Sequence, residues 1–194
     1  MIVLSVDRIR TQLQRSAVPV ASPDNWTSLR KAAVLVPIFR DRDEWHILFI
    51  RRSQSVQDHK GQVAFPGGTV ESKDKSLEMT ALREAKEEIG LIPSDVEVLG
   101  FLRDFPTITN YLITPVVGYI SWPVTLSLHH AEVEKVFSIP ISWLADPSHW
   151  EERPRKFPGG QMETVIYFQL YEGEQLWGAT ARMTLNLLRT LEIV

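Results

Sequence analysis

The eight residues Ala32–Phe39, AAVLVPIF, carry no charge and no hydrogen-bonding side chain. A run of that length is a strand's length, and it has no polar face to turn toward water. Any fold that accepts it must therefore cover it on both sides. Its surroundings read as further strands. A polar turn over residues 40–44 leads into WHILFIRRS, Trp45–Ser53. GQVAFPGG, Gly61–Gly68, starts as a strand and ends in a Pro-Gly-Gly turn. VEVLGFLRDF (Val96–Phe105) and LITPVVGYIS (Leu112–Ser121) read as two more. VIYFQLY (Val165–Tyr171) and QLWGAT form a hairpin around Glu172-Gly173-Glu174. EVEKVF reads as a short helix or a strand that leads, past Pro140, into Ile141–Leu144.

Three segments have helical periodicity instead. Residues 5–17 place Val6, Ile9 and Leu13 on one face, with Ser5 as N-cap. A second helix spans Ser76 to Ile89, with Gly90 where a left-handed C-terminal residue belongs. The chain closes on a helix with an apolar stripe of Met183, Leu187, Leu188 and Leu191. Strands and helices alternate irregularly and hairpins are present, so the fold class is α/β (α+β), with a mixed sheet covered by helices. Residues 19–27 are rich in Pro, Ser, Asp and Asn. Residues 1–27 are therefore expected to be a helical arm and linker, and residues 28–194 a single domain.

Composition removes several classes of function. The net charge of −3 is interspersed along the chain, which does not point to nucleic acid as a partner. The absence of cysteine excludes disulfides, thiolate catalysis and Cys-based zinc sites. Apolar runs are too short for a signal-peptide core or a membrane span, so no membrane partner is expected and the default location is cytoplasmic.

The chemistry concentrates in LREAKEEIGL, residues 82–91. At roughly 100° per residue, Glu84, Glu87 and Glu88 lie on one side of the helix, while Leu82, Ala85 and Ile89 form the apolar stripe that anchors it. On EAKEE alone two readings stand: a solvated helix face, or a site for a hard divalent cation such as Mg²⁺ or Mn²⁺. Gly67 and Gly68, just upstream, let a backbone turn approach a ligand closely. Arg83 can orient a carboxylate or balance surplus charge. No GxxxxGK[ST] motif is present, so the segment is not a P-loop.

GGTVESKDKSLEMTALREAKEEIGL resembles a Nudix box, with Arg83, Glu84, Ala85, Glu87, Glu88, Gly90 and Leu91 matching its second half residue by residue. Asp74 stands where Glu is usual, and the gap from it to Arg83 is one residue longer, as in the coenzyme A pyrophosphatase branch. LFIRRSQSVQDHKGQVAFPGG is similar to that branch's signature at Leu48, Arg52, Ser53, Gly61, Val63 and Phe65–Gly68, with Ile50 in place of a usual Thr and Gln57 in place of a usual Arg. The resemblance implies a Nudix-type mixed β-sheet sandwiched between α-helices. It implies Mg²⁺- or Mn²⁺-dependent hydrolysis of coenzyme A or its thioesters to 3′,5′-ADP and (acyl) 4′-phosphopantetheine. Glu84 and Glu88 are then the leading metal ligands, with Glu87 third, and Arg83 holds the carboxylates. Arg52, Gly67 and Gly68 contact the substrate.

Strand alternation sends Arg51 and Arg52 to opposite faces, so at most one meets a substrate phosphate; a surface salt bridge is the alternative for either. A general base is expected at Glu132, where related enzymes often carry a carboxylate, with Glu134 as its neighbour and plain solvation as the alternative. His59 reads as an exposed loop residue, and Trp177 with Gly178–Ala181 as packing. The expected partner is a small nucleotide, and a homodimer stays open. Other substrates (ADP-ribose, NADH or a nucleoside triphosphate) and a nucleotide-sensing module without turnover are the competing readings.

Overall fold

The apolar run becomes the middle of β1 (Arg30–Asp41), and every residue from Ala32 to Phe39 is buried. Pairing accounts for this. β7 (Tyr111–Ile120) runs parallel along one edge, in register from Arg30↔Tyr111 to Phe39↔Ile120. β4 (Gly67–Thr69) and β2 (Glu44–Arg52) share the other edge, both antiparallel. The sheet widens through β8 (Val133–Pro140) and β3 (Val63–Ala64) on β2, and β5 (Val96–Phe101) and β6 (Phe105–Pro106) on β7. The computed structural model describes residues 4–16, 26–56, 58–157, 160 and 162–194.

Each face of the sheet has its own core. α2 (Leu77–Ile89) sets Ala81, Ala85 and Ile89 against Ala33, Leu35, Leu48 and Ile50. Its stripe runs through Ala81 rather than Leu82, which is only half-buried. On the other face lie α1 (Val6–Ser16), α4 (Gly178–Thr190) and a second antiparallel sheet of β9 (Trp150–Lys156), β10 (Met162–Tyr171) and β11 (Glu174–Trp177). Between the two sheets, α3 (Ile141–Leu144) adds Ile141 and Leu144 to that core. The mixed sheet between helices is thus present as expected.

Several details differ from the sequence reading. EVEKVF is strand from its Val133 onward, because β2 pairs with it from His46↔Pro140 to Arg52↔Val133, while Glu132 stays in the preceding turn. β9 was not anticipated: WEERPRK has no apolar alternation, since it is an edge strand with four of its seven residues exposed in a row. Val96–Phe105 is two strands, β5 and β6, separated at Leu102, whose N–H bonds Pro115 O instead. In the hairpin, the turn is Glu172-Gly173 with φ of 49° and 82° at the two positions, and Glu174 is a buried strand residue rather than part of the turn.

α1 shares the core of the domain. Ile9 and Leu13 are 0% and 1% exposed, Ser5 Oγ accepts from Arg8 N, and Arg10 pairs with Glu97 of β5. Residues 17–25, which hold most of the expected linker, lie outside the described residues. Leu13→Ala should lower stability by about 2–5 kcal/mol, the usual cost of truncating a fully buried leucine. A denaturant midpoint unchanged from wild type would show that α1 does not contribute to the core.

Candidate active site

α2 starts where Ser76, in extended backbone, accepts Met79 N–H on its Oγ at 3.2 Å; it stops at Gly90, φ 70°. Burial of Ala81, Ala85 and Ile89 then fixes the rotation of the helix and the directions of its acids. Glu84, Glu87 and Glu88 do not share one environment. Glu88 is buried, with Oε2 accepting Gly67 N–H at 3.0 Å and Oε1 3.6 Å from Arg52 Nη1. Glu84 is 15% exposed, takes Arg83 Nη1 at 2.9 Å, and packs against Gly68, where a Cβ would come within 2.5 Å of its Oε1. Glu87 is 51% exposed and reaches Arg83 Nη1 at 2.9 Å and Lys73 Nζ at 3.8 Å. The expected trio is an inner pair with a third member on the rim.

Arg83 is the hub. Its Nε and Nη2 donate to the two oxygens of Asp74 at 3.0 and 2.9 Å, Nη2 also donates to Thr69 O at 3.1 Å, and Nη1 serves Glu84 and Glu87. Asp74, with a side chain 3% exposed, also accepts from Thr80 Oγ1 and Glu71 N–H. The Arg83 hydrogen bonds hold its carboxyl well below the usual carboxylate range, and the same bonds push Arg83 up. Asp74 is the site residue the sequence reading noticed only as a departure from a pattern. The available signal was an acid just before the N-cap facing an arginine two turns on.

The strand ends sort the remaining charges. Arg52 faces Glu88, while Arg51 turns to Glu134 at 2.6 Å and to the buried Glu174 at 3.2 Å. The β2–β8 register jumps from Arg51↔Lys135 to Arg52↔Val133, leaving Glu134 as the extra residue of a bulge on the Arg51 side. Glu132 is carried to the other side by a turn tied to both neighbours. His129 N–H bonds Glu88 O at 2.9 Å, and Ser53 N–H, next to Arg52, bonds Glu132 O at 2.7 Å. His59 lies in an exposed loop with Nδ1 2.9 Å from Gln62 Oε1, and Gln57 lies outside the described residues. Trp177 stacks on Tyr167 under Arg155 at the outer face of the second sheet, whereas Ala181 is buried core.

Burial raises the pKa of Glu88 to about 8, with the nearby Glu84 and Glu132 charges adding to the shift against the Gly67 N–H and Arg52. Burial likewise raises Glu84, with Arg83 opposing and Glu87 and Glu132 adding. Glu84, Glu88 and Glu132 therefore lie within one another's field. This donor set fits a hard divalent cation: carboxylate oxygens only, partly desolvated and mutually repelling. In this conformation Arg52, Arg83 and Gly67 N–H hold the inner carboxylates, and among the described residues no three Asp, Glu or His side chains are gathered into a finished metal cage. A surface hollow of about 530 Å³ between Ile92 and Thr125 is lined by Asp95 and Glu97 and no basic side chain, which does not suit phosphates.

The NUDIX domain model matches residues 29–158. Over 197 residues the chain is 41% identical to the Nudix hydrolase NudL of Photorhabdus laumondii, covering all of both chains, and it is 39% identical to NudL of an Escherichia coli strain over 78% of each. Among solved structures, a MutT/nudix family protein from Enterococcus faecalis superposes with a TM-score of 0.57 at 14% identity, over 97% of this chain and 70% of that one. The chain belongs to the Nudix family. It is a Nudix hydrolase, an enzyme acting on pyrophosphate bonds.

The Glu88 shift has a direction that can be measured without substrate. A carboxyl whose folded pKa lies above its unfolded value favours the fold while protonated and loses that contribution as pH rises through the folded value. Metal-free protein should therefore lose thermal stability progressively as pH rises from about 4.5 to about 8, with no further loss from this group above that. Glu88→Gln should flatten that limb, and added Mg²⁺ should reduce it. An identical limb in Glu88→Gln would show that Glu88 does not carry it.

Proposed function

We propose that this chain hydrolyses coenzyme A or its thioesters to 3′,5′-ADP and (acyl) 4′-phosphopantetheine, with Mg²⁺ or Mn²⁺, at the inner carboxylates of α2. The observation that carries the chemistry is the convergence of Glu84, Glu88 and Glu132 beside Arg52 and Gly67–Gly68, which lie in strand β4 and not in the turn expected from the sequence. Glu84 and Glu88 would hold the cation, with Glu87 contributing from the rim. When bound, a divalent cation supplies Lewis-acid stabilisation of charge developing on the phosphate oxygens.

The chain's own residues do the rest. Gly67 lets β4 lie close against β1, and Gly68 gives the Glu84 carboxylate the space a Cβ would fill. Arg52 Nε is buried and has no hydrogen-bond partner among the described residues, so it has a donor free for a phosphate oxygen. Arg83, anchored on Asp74, fixes the Glu84 carboxylate. Glu132 takes the proton from the water that attacks phosphorus, the bridging P–O bond breaks, and the two phosphates separate. Positioning and electrostatics account for the barrier without a covalent intermediate.

Glu88→Gln keeps the shape and an acceptor for Gly67 N–H but removes the anion. Turnover should fall by at least roughly 10²-fold. An active variant with unaltered metal dependence would remove Glu88 from the cation site.

The coenzyme A assignment rests on the segment Leu48–Gly68. Leu48, Val63 and Phe65 of that segment are core residues, and its Arg52 and Ser53 hold the site through Glu88 and Glu132 O. Gln57 replaces the arginine usual in that branch, and a neutral amide cannot grip a phosphate as a guanidinium does. Arg51 has its Nη1 and Nη2 held by Glu174 and Glu134, on the side away from Glu88, while Lys60 is exposed on the same loop. Coenzyme A should be cleaved with weak discrimination against dephospho-coenzyme A, and Gln57→Arg should sharpen that discrimination mainly through KM. The test is product mass from coenzyme A, dephospho-coenzyme A, ADP-ribose and NADH with Mg²⁺ or Mn²⁺. Brisk hydrolysis of ADP-ribose or NADH with no turnover of either coenzyme would overturn the substrate and leave the chemistry standing.

A further inference from the structure

We propose that His129 is a positioning residue that holds the Glu132 carboxylate over the inner pair of α2. The inference rests on the reading of Glu132 as general base. His129 Nδ1 lies 3.1 Å from Glu132 Oε1, and among the described residues it is the side chain recorded in hydrogen-bond or ion-pair contact with that carboxylate. Glu132 needs such a partner. Glu84 and Glu88 repel it, and the nearby cations are engaged elsewhere: Arg52 with Glu88, and Arg51 and Lys135 with Glu174. At 46% exposure, with no tether, its carboxylate would swing out to solvent away from the two acids.

The backbone under the pair is unusually well held for an exposed turn. Ser127 N–H and His129 N–H bond the last carbonyls of α2, at Ile89 and Glu88, both at 2.9 Å. Glu132 N–H at 2.8 Å and Val133 N–H at 2.9 Å then close back on His129 O, and Ser53 fixes Glu132 O. The Cα positions of residues 129 and 132 are thus set relative to Glu88 by main-chain bonds. The single free variable is the direction of the Glu132 side chain, and the imidazole N–H sets it. With Nδ1 donating to the carboxylate, the role proposed for His129 is to act through Glu132 and not on the reacting atoms. Because both side chains are about half exposed, the pair contributes little to stability.

The test crosses His129→Ala and His129→Asn with Glu132→Gln, measuring kcat and KM for coenzyme A and ADP-ribose, and adds a crystal structure of His129→Ala. Glu132→Gln alone reports on the base, so its failure to lose activity overturns the underlying reading and this inference with it. If Glu132→Gln is impaired, His129→Ala should lower kcat about tenfold, as losing one hydrogen bond to a charged group at a half-exposed place would, with KM and melting temperature unchanged. His129→Asn, which keeps an N–H donor on a short side chain, should recover most of the loss. In the Glu132→Gln background His129→Ala should cost nothing further. The crystal structure should show the Glu132 carboxylate turned to solvent. Full activity of His129→Ala, an undiminished loss in the Glu132→Gln background, or an unmoved carboxylate in the crystal would each overturn the proposal.

Discussion

The guanidinium of Arg83 is the contact on which the site's geometry depends. It sits at the junction of three pieces of chain: the strand that ends at Thr69, the loop carrying Asp74, and α2 itself. Two of its nitrogens are committed to Asp74, whose remaining acceptor capacity is taken by Thr80 and the Glu71 N–H. That leaves Nη1 pointing along the helix toward Glu84 and Glu87 in a direction it cannot change without breaking a buried pair. Breaking such a pair is costly because it strands a charge away from water. The rigidity of the Glu84 carboxylate is thus inherited from the ion pair behind it.

Much of the fold was legible in the sequence because it rests on patterns with no competing interpretation. A strand apolar at every position has to lie at the centre of a sheet, and β1 does. The Ser76 cap and Gly90 bounded α2 to within a residue. What was not legible depended on partners far along the chain. β9 is a strand only because β10 lies beside it, since after Trp150 its residues are all charged or proline and none alternates with an apolar one. Glu174 follows a turn signal and reads as part of it, yet Arg51 and Lys135 draw it into the interior.

The candidate site divides along the same line. Helical spacing puts Glu84, Glu87 and Glu88 on one side, which is correct as geometry and insufficient as chemistry. Which of the three is buried is decided by Gly67 N–H and Arg52 above the helix, and neither is visible in EAKEE. Strand alternation did separate Arg51 from Arg52, because the period of two is a local property. Glu132 was preferred to Glu134 by resemblance alone; that the two lie on different sides was invisible, because it hangs on one irregularity, the bulge in β8.

That bulge organises the charges at this end of the molecule. Without it, the alternation of β8 would place Glu132 and Glu134 on the same face, with Lys135 opposite. The extra residue instead lets Glu134 and Lys135 both serve the Arg51–Glu174 side, where two cations and two carboxylates close a network of their own. Glu132 is left on the other side with the acids of α2 and one imidazole. An excess of negative charge therefore accumulates beside β4 and Arg52 and not at the edge of the second sheet. The carboxylates gathered there are ones a dication would relieve. One residue inserted in a strand thus separates the Arg51–Glu174 salt-bridge network from the acids around Glu88, although the two begin at adjacent arginines.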